Sequence, residues 1–280
     1  MRYLLVAAIM IACPAMLRSQ VYQNDAGSKA KHFLYEVKQI NEFFERFNND
    51  TASYIREIYR DKGVKFRVQR PALIRSLFNT ETRQWNKSTV DSFVTNALQV
   101  EMPNKRRFYG GNWYAEASSL FEYNGETIVI PIILAIDTDD RNRSKWLIVG
   151  VKADMLAAES NNVKGVKIAS PEKFISPAGH SNYFIEFSRV FDDKASLAAY
   201  FDPLFFNTRH GAAFYNAVQS GHARFISVKE LKFHFLQVRN YIFTVEQFKR
   251  ETLNSGWLIN TLRTASISEK ESFRKTLLGR

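Results

Sequence analysis

The chain is almost without sulfur nucleophiles: Cys13 is the single cysteine, and it lies close to the N-terminus. Removing it with a leader leaves no disulfide, no thiol nucleophile and no thiolate-held zinc, so stability has to come from the core. Long apolar runs are also missing. Beyond the first residues the longest run is 128–136, which has the length of a strand, far short of the roughly 20 residues of a membrane helix. There is no G-x-S-x-G elbow, phosphate-binding P-loop or dinucleotide fingerprint. The Gly179-His180-Ser181 run reads as a chance adjacency. Histidines are few: His32, His180, His210, His222 and His234. None stands four residues from another, as a helical zinc site requires. His210 and His222 flank one helix and His234 follows on a strand, so a fold could gather them, but single histidines are the expectation. No metal and no cofactor is expected.

The composition that remains belongs to a folded, exported protein. Hydrophobic residues make up 45% and aromatics 14% of 280 residues, enough for a sizeable core. Arg2, the apolar stretch 4–12 and the small residues after it form an export signal. Ser19 is its expected last residue and Gln20 the mature start, which resembles export signals of Bacteroidetes-type proteins. The alternative is a degenerate lipobox, Met10-Ile11-Ala12-Cys13, with Cys13 acylated in an outer-membrane lipoprotein. The expected location is therefore periplasmic or secreted. Losing Arg2 and Arg18 with the signal lowers the formal charge from +11 to +9. Outside the cytoplasm the polyanions at hand are lipid headgroups and envelope glycans. A nucleic-acid partner is disfavoured, and a solvated basic surface carries the greater weight.

Periodicity places helices before strands, twice. Phe33, Val37, Ile40, Phe44 and Phe47 form one helical stripe. Thr51 caps a short second helix stopped by Gly63, and 64–70 is extended. Pro71 opens a third helix at its first turn. Ser88 and Asp91 resemble a capping box ahead of a fourth. After the basic trio 105–107, strands begin near Arg107, with Gly110-Gly111 as a bulge. They lead into a meander, 118–152, with a tight Asn124-Gly125 turn. Its middle run, 128–136, reads as buried on both faces. Residues 159–181 form a linker. Three further helices follow, the last from about Asn207 to Gly221. Strands are expected at 224–228, 231–238, 241–248 and 257–262, then a charged tail. The boundaries are 1–19 for the signal, 20–158 for a first α+β unit, 159–181 for the linker, 182–265 for a second unit and 266–280 for the tail.

Two short matches recur in the same order. Asn96-Ala97-Leu98-Gln99 and Asn216-Ala217-Val218-Gln219 each end a last helix. Ser144-Lys145-Trp146-Leu147-Ile148 and Ser255-Gly256-Trp257-Leu258-Ile259 each open a last strand. Helices followed by a long antiparallel meander, over 31–152 and again over 182–263, resemble the NTF2-like (cystatin-like cone) fold. That resemblance implies an α+β fold, with helices packed on curved antiparallel sheets and two units in tandem. It also implies an apolar pocket at each cone mouth, in a family that holds both isomerases and non-catalytic assembly modules.

Trp113, Tyr114, Trp146 and Trp257 are the candidates for lining such a pocket, although buried aromatics more often fill a core. The acidic loop 137–142 lacks the third oxygen and the glycine of a calcium loop. Taken together, the expected function is an exported, non-catalytic binding or assembly protein whose partner is an envelope component or another protein, with homo-oligomerisation open. The alternatives are a pocket hydrolase or isomerase working through Asp/Tyr/His acid–base chemistry, and a basic component of a DNA-transfer system.

Overall fold

A computed structural model describes residues 36–63, 65–99, 111–141, 143–156 and 173–280. The expected signal, the leader 20–31, Phe33, the basic trio 105–107 and Gly110 lie outside the described residues, as does most of the expected linker. Among the described residues no helix is long and apolar enough to cross a membrane.

The class is α+β. Six strands form one open antiparallel sheet in the order β3-β2-β1-β4-β5-β6, with seven α-helices among the described residues. The first meander is β1 (Trp113–Tyr123), β2 (Glu126–Thr138) and β3 (Ser144–Val151). Asn124 and Gly125 turn β1 into β2 with φ of 53° and 82°, the positive angles that a two-residue hairpin demands. The second meander is β4 (Ala223–Phe235), β5 (Tyr241–Phe248) and β6 (Gly256–Thr264). The two join through β1 and β4, from Trp113 opposite Phe235 to Tyr123 opposite Ala223.

Residues 224–228 and 231–238, expected as separate strands, belong to a single β4 that ends at Phe235. The pairing with β1 slips twice, around Ile226 and Lys229. Each bulge inserts one residue and breaks the alternation that marks a strand in sequence. Burial of 128–136 on both faces holds only near its centre: Ile132, Ile133 and Leu134 are buried, whereas Val129 is exposed where β2 runs out along the hairpin.

Helix α1 (Ile40–Asn48) starts later than the apolar stripe suggests. Val37 instead pairs with the outer edge of β6: its carbonyl accepts from Trp257 N at 2.8 Å and its N–H donates to Ser255 O at 3.1 Å. Further along β6, Ile259 N donates to Leu77 O at 2.7 Å. The outer edge of β3 is closed in the same manner by later segments. Trp146 N donates to Ile175 O at 3.0 Å, and Asp202 N to Ile148 O at 2.9 Å. Both sheet edges thus lose part of their exposed ladder to short arms.

The helices cross over. Phe43 and Phe47 of α1 lie on Phe243 of β5, and Phe44 lies on Trp113. Helices α2 (Tyr54–Asp61), α3 (Arg70–Ser76) and α4 (Lys87–Leu98) complete this group, and Phe93 of α4 packs on Tyr241 and Phe243. Pro71 sits in the first turn of α3, as expected. The cap of α4 is Asn86, whose side chain accepts from Thr89 N, and not Ser88; Asp91 pairs with Arg75 and Lys87 instead. The second group is α5 (Phe187–Asp192) and α6 (Gly211–Ser220) with three 3₁₀ turns. It packs on the first meander and the start of β4: Phe191 and Phe214 meet Phe121, and Phe184 meets Trp146.

Both helical groups lie on one sheet face and make one large core. The last helix, α7 (Ile267–Leu278), lies on the other. It opens with a Ser266–Glu269 capping box and closes at Gly279, φ 69°. Leu277 and Leu278 bury against Leu147 and Val149. Gly150 permits this, since a Cβ there would stand 3.0 Å from the Leu278 backbone.

Candidate functional site: the polar sheet face and the cleft beside β4

Successive strand residues point to opposite faces, and this separates two chemistries. On β4, Leu231, Phe233 and Phe235 face the aromatic core, while Lys232 and His234 face the side that α7 only partly covers. On β1, Glu116 and Ser118 share that second face. Glu116 stands opposite Lys232, and Ser118 opposite Glu230.

At one end of this polar stripe lies a mostly buried carboxylate, its side chain 12% exposed. Glu116 Oε2 accepts from His234 Nε2 at 2.8 Å and from Lys152 Nζ at 2.9 Å. Burial by itself would raise the Glu116 carboxyl. The hydrogen bonds and positive charges of His234 and Lys152 outweigh it and hold the group at about 2. The His234 ring packs on Phe273 of α7, and its buried Nδ1 has no hydrogen-bond partner among the described residues. The stripe continues through Lys232 and Glu246, 3.7 Å apart, to Thr244, whose hydroxyl lies 2.8 Å from that of Thr261.

At the other end the sheet opens. β5 pairs with β4 only from Lys232 to Phe235 and then leaves at Phe248. β4 runs on for nine more residues toward its start, and among the described residues no strand or arm bonds to that outer edge. A cleft of about 330 Å³ occupies the fork, lined by Ser118, Tyr183, Lys229, Glu230, Leu231, Lys232, Glu246 and Gln247. Tyr183 and Phe184 are both left-handed, φ 56° and 51°, a conformation costing aromatic residues about 1 kcal/mol or more each. The kink sends Phe184 into Trp146 and lets the Tyr183 hydroxyl donate to Gln247 at the cleft. Burial raises the Tyr183 hydroxyl above its usual range, keeping it a donor.

The aromatic candidates sit elsewhere. Trp113, Trp146 and Trp257 are 1%, 0% and 3% exposed within the main core. Trp113 stacks on Phe235 at 5.4 Å and meets Trp146 edge-on at 5.2 Å, while Trp257 packs on Phe233 at 5.0 Å. Tyr114 is on the opposite face with Ile133 and Leu236. The structure therefore brings together the three tryptophans but not Tyr114, and the cleft is lined by other residues.

The histidines are dispersed. His210 Nε2 bonds Asp154 at 2.9 Å, His222 bonds Ser220, and His234 bonds Glu116. No group of three or more His, Cys, Asp or Glu suited to a metal ion occurs among the described residues. The acidic loop closes on itself, with Asp139 accepting from Arg141 N, Arg143 N and Arg143 Nε; Asn142 lies outside the described residues.

The His180-Ser181 adjacency has a geometry that sequence does not reveal. His180 Nδ1 lies 2.8 Å from Pro177 O and its Nε2 lies 3.1 Å from Ser181 Oγ. Burial pushes the imidazole down to about 4, against the raising effect of the Pro177 carbonyl. It is neutral at pH 7 and a weak base. The signal for the polar stripe was present in the alternation of 231–235 and in Glu116 within an apolar run. The pairing of β1 with β4, which brings them together, was not. Comparison with protein-family models, with curated proteins and with solved structures found no match to this chain.

Proposed function

We propose that the chain is an exported, non-catalytic binding or assembly protein of the cell envelope, built from two NTF2-like α+β units in tandem. In this reading short arms reach from each half of the chain to the outer strand of the other meander. The support is the correspondence of Val37 on Trp257 with Ile175 on Trp146, and of Leu77 on Ile259 with Asp202 on Ile148. The two Trp-Leu-Ile matches then lie on opposite sheet edges, with the Val37 arm parallel to β6 and the Ile175 arm antiparallel to β3.

One observation carries the binding reading: the unpaired outer edge of β4 beside a cleft guarded by a strained Tyr183–Phe184 kink. A free strand edge recognises an extended peptide by adding it as a strand, with side-chain pockets selecting the sequence. The cleft offers Lys229 and Lys232 together with Glu230 and Glu246, so it suits an uncharged or mixed-charge segment of a partner protein. The main core interior is filled by aromatic rings, and the Glu116 oxygen that could act as a base is already engaged by two cations. Both points favour binding over pocket catalysis.

The test is retention of the purified chain on isolated envelope fractions. Ile226→Asp and Lys229→Glu, at the exposed bulges of the free edge, are expected to weaken retention several-fold while leaving the fold intact. No retention on any fraction overturns the reading. The alternative, a pocket hydrolase or isomerase working through Asp/Tyr/His acid–base chemistry, requires a closed apolar pocket with a convergent carboxylate.

A further inference from the structure

A second cleft, remote in sequence from the first, lies against α2. It measures about 550 Å³ and is lined by Thr51, Arg56, Arg60, Gly63, Lys65 and Phe66. Six basic residues stand against two acidic ones between Thr51 and Arg70, and three of the six line this cleft. Arg70 is committed elsewhere, to the carbonyls of Phe47 and Ala97.

The three cations are poorly neutralised. Among the described residues Arg60 has only Glu57 at 3.9 Å, and neither Arg56 nor Lys65 has a carboxylate within ion-pair distance. Arg56 is nonetheless held in a defined pose. Its Cζ lies 4.5 Å from the Phe66 ring centroid, and Phe66 is itself set edge-on by Tyr59 at 5.2 Å. One Nη donates to Asn49 Oδ1 at 2.5 Å, and Asn49 is fixed as the left-handed cap of α1, φ 57°. Among the described residues the buried Nε–H has no hydrogen-bond partner. An aromatic face and an amide acceptor both orient a guanidinium without neutralising it. Among the described residues the positive charge is positioned without a carboxylate partner, beside two more cations and a threonine hydroxyl.

We propose that this cleft is an oxyanion site that takes a phosphate group, with Arg56 as the oriented donor, Arg60 and Lys65 as flanking charges and Thr51 as a hydroxyl donor. Planar guanidinium donors suit tetrahedral oxyanions through paired N–H···O bonds, and an ammonium adds charge without directional demand. The phosphate can belong to a lipid headgroup or to a soluble phosphorylated compound. The site is independent of the β4 edge.

The purified full chain is titrated with inorganic phosphate and with pyrophosphate while the Arg56 Nε–Hε resonance is followed by NMR. A saturable shift is expected, with pyrophosphate the tighter of the two. The double variant Arg60→Gln/Lys65→Gln, at exposed positions, is expected to weaken binding about tenfold. Arg56→Lys keeps the charge but loses the fork, and should weaken it comparably, read on the Lys65 and Thr51 backbone resonances. Flotation with phosphatidylcholine vesicles, with and without phosphatidic acid, identifies the source. Capture by phosphatidic acid that free phosphate reverses assigns a headgroup; phosphate binding without capture assigns a soluble ligand; either upholds the site. Absence of any saturable shift overturns it, as does unchanged affinity in the double variant, which would mean diffuse surface attraction only.

Discussion

The two faces of the sheet are made by alternate residues of the same strands, yet they are stabilised in different ways. One face carries Trp113, Phe233, Phe235 and Phe243 under two helical groups, a continuous stack of rings. The other carries Glu116, Lys232, His234 and Thr244, with a single helix over a small apolar cluster at one side. The aromatic face is held by area removed from water and by ring packing, so it is sensitive to loss of volume and responds to pH through the buried His180 ring beside Trp146. The polar face depends on every partner staying in place, because a buried charge without its partner costs more than the pair contributes. The comparison teaches where function has room. The two proposed binding surfaces are placed where β4 outruns β5 and where basic side chains cluster beside α2, not in the packed interior.

The largest expected effect is on the aromatic face. Trp113→Ala should cost about 4 kcal/mol in urea unfolding, from lost burial and the cavity left among Phe44, Trp146 and Phe235. A loss under about 1 kcal/mol would break the contrast between the faces. Glu116→Ala comes next, at about 3 kcal/mol, because it strands Lys152 and His234. The same measurement checks it, and Glu116→Ala combined with His234→Leu should recover part of the loss.

Acid sensitivity sharpens the comparison further. The Glu116 carboxyl is lower in the folded state, about 2 against 4.5, so its contribution of about 3 kcal/mol is present above pH 4.5 and lost as pH falls toward 2. His180 is also lowered, about 4 against 6.5; the folded state holds it neutral. Its share, of similar size, is present above pH 6.5 and lost as pH falls toward 4. His180→Gln should flatten the stability profile between pH 4 and 6.5 and leave the lower limb, which Glu116→Gln should flatten instead. The smallest effect belongs to the free edge: Lys229→Glu should change stability by no more than about 0.5 kcal/mol while still altering partner binding.

Much of the fold was legible because local rules governed it. β5 occupies the expected residues 241–248, since alternation there is unbroken and both ends are punctuated. Gly221 closes α6 at φ 83°, where a left-handed cap is needed. Val37 misled because an apolar residue at helical spacing can equally serve as an arm on a distant strand, and only its bonds to Ser255 and Trp257 distinguish the two. The candidate site was less legible. Trp113 and Trp146 looked like pocket walls because sequence shows that an aromatic is large and apolar, not which side of it is filled. Arg56 stands in a basic segment like its neighbours. Its fixed, unneutralised pose depends on Asn49 and Phe66 meeting it in space.

By itself the sequence determined the α+β class, the order of helices and strands, and the hairpin at Asn124-Gly125. These follow from periodicity, turn chemistry and composition, all of which act over a few residues. Only the tertiary structure decided that β1 and β4 join two meanders into one sheet, that both helical groups lie on one face of it, and that β4 outruns β5. Such long-range pairings are chosen by the sum of many weak contacts across 100 or more residues of separation, as between Glu116 and His234, and no local pattern encodes that sum.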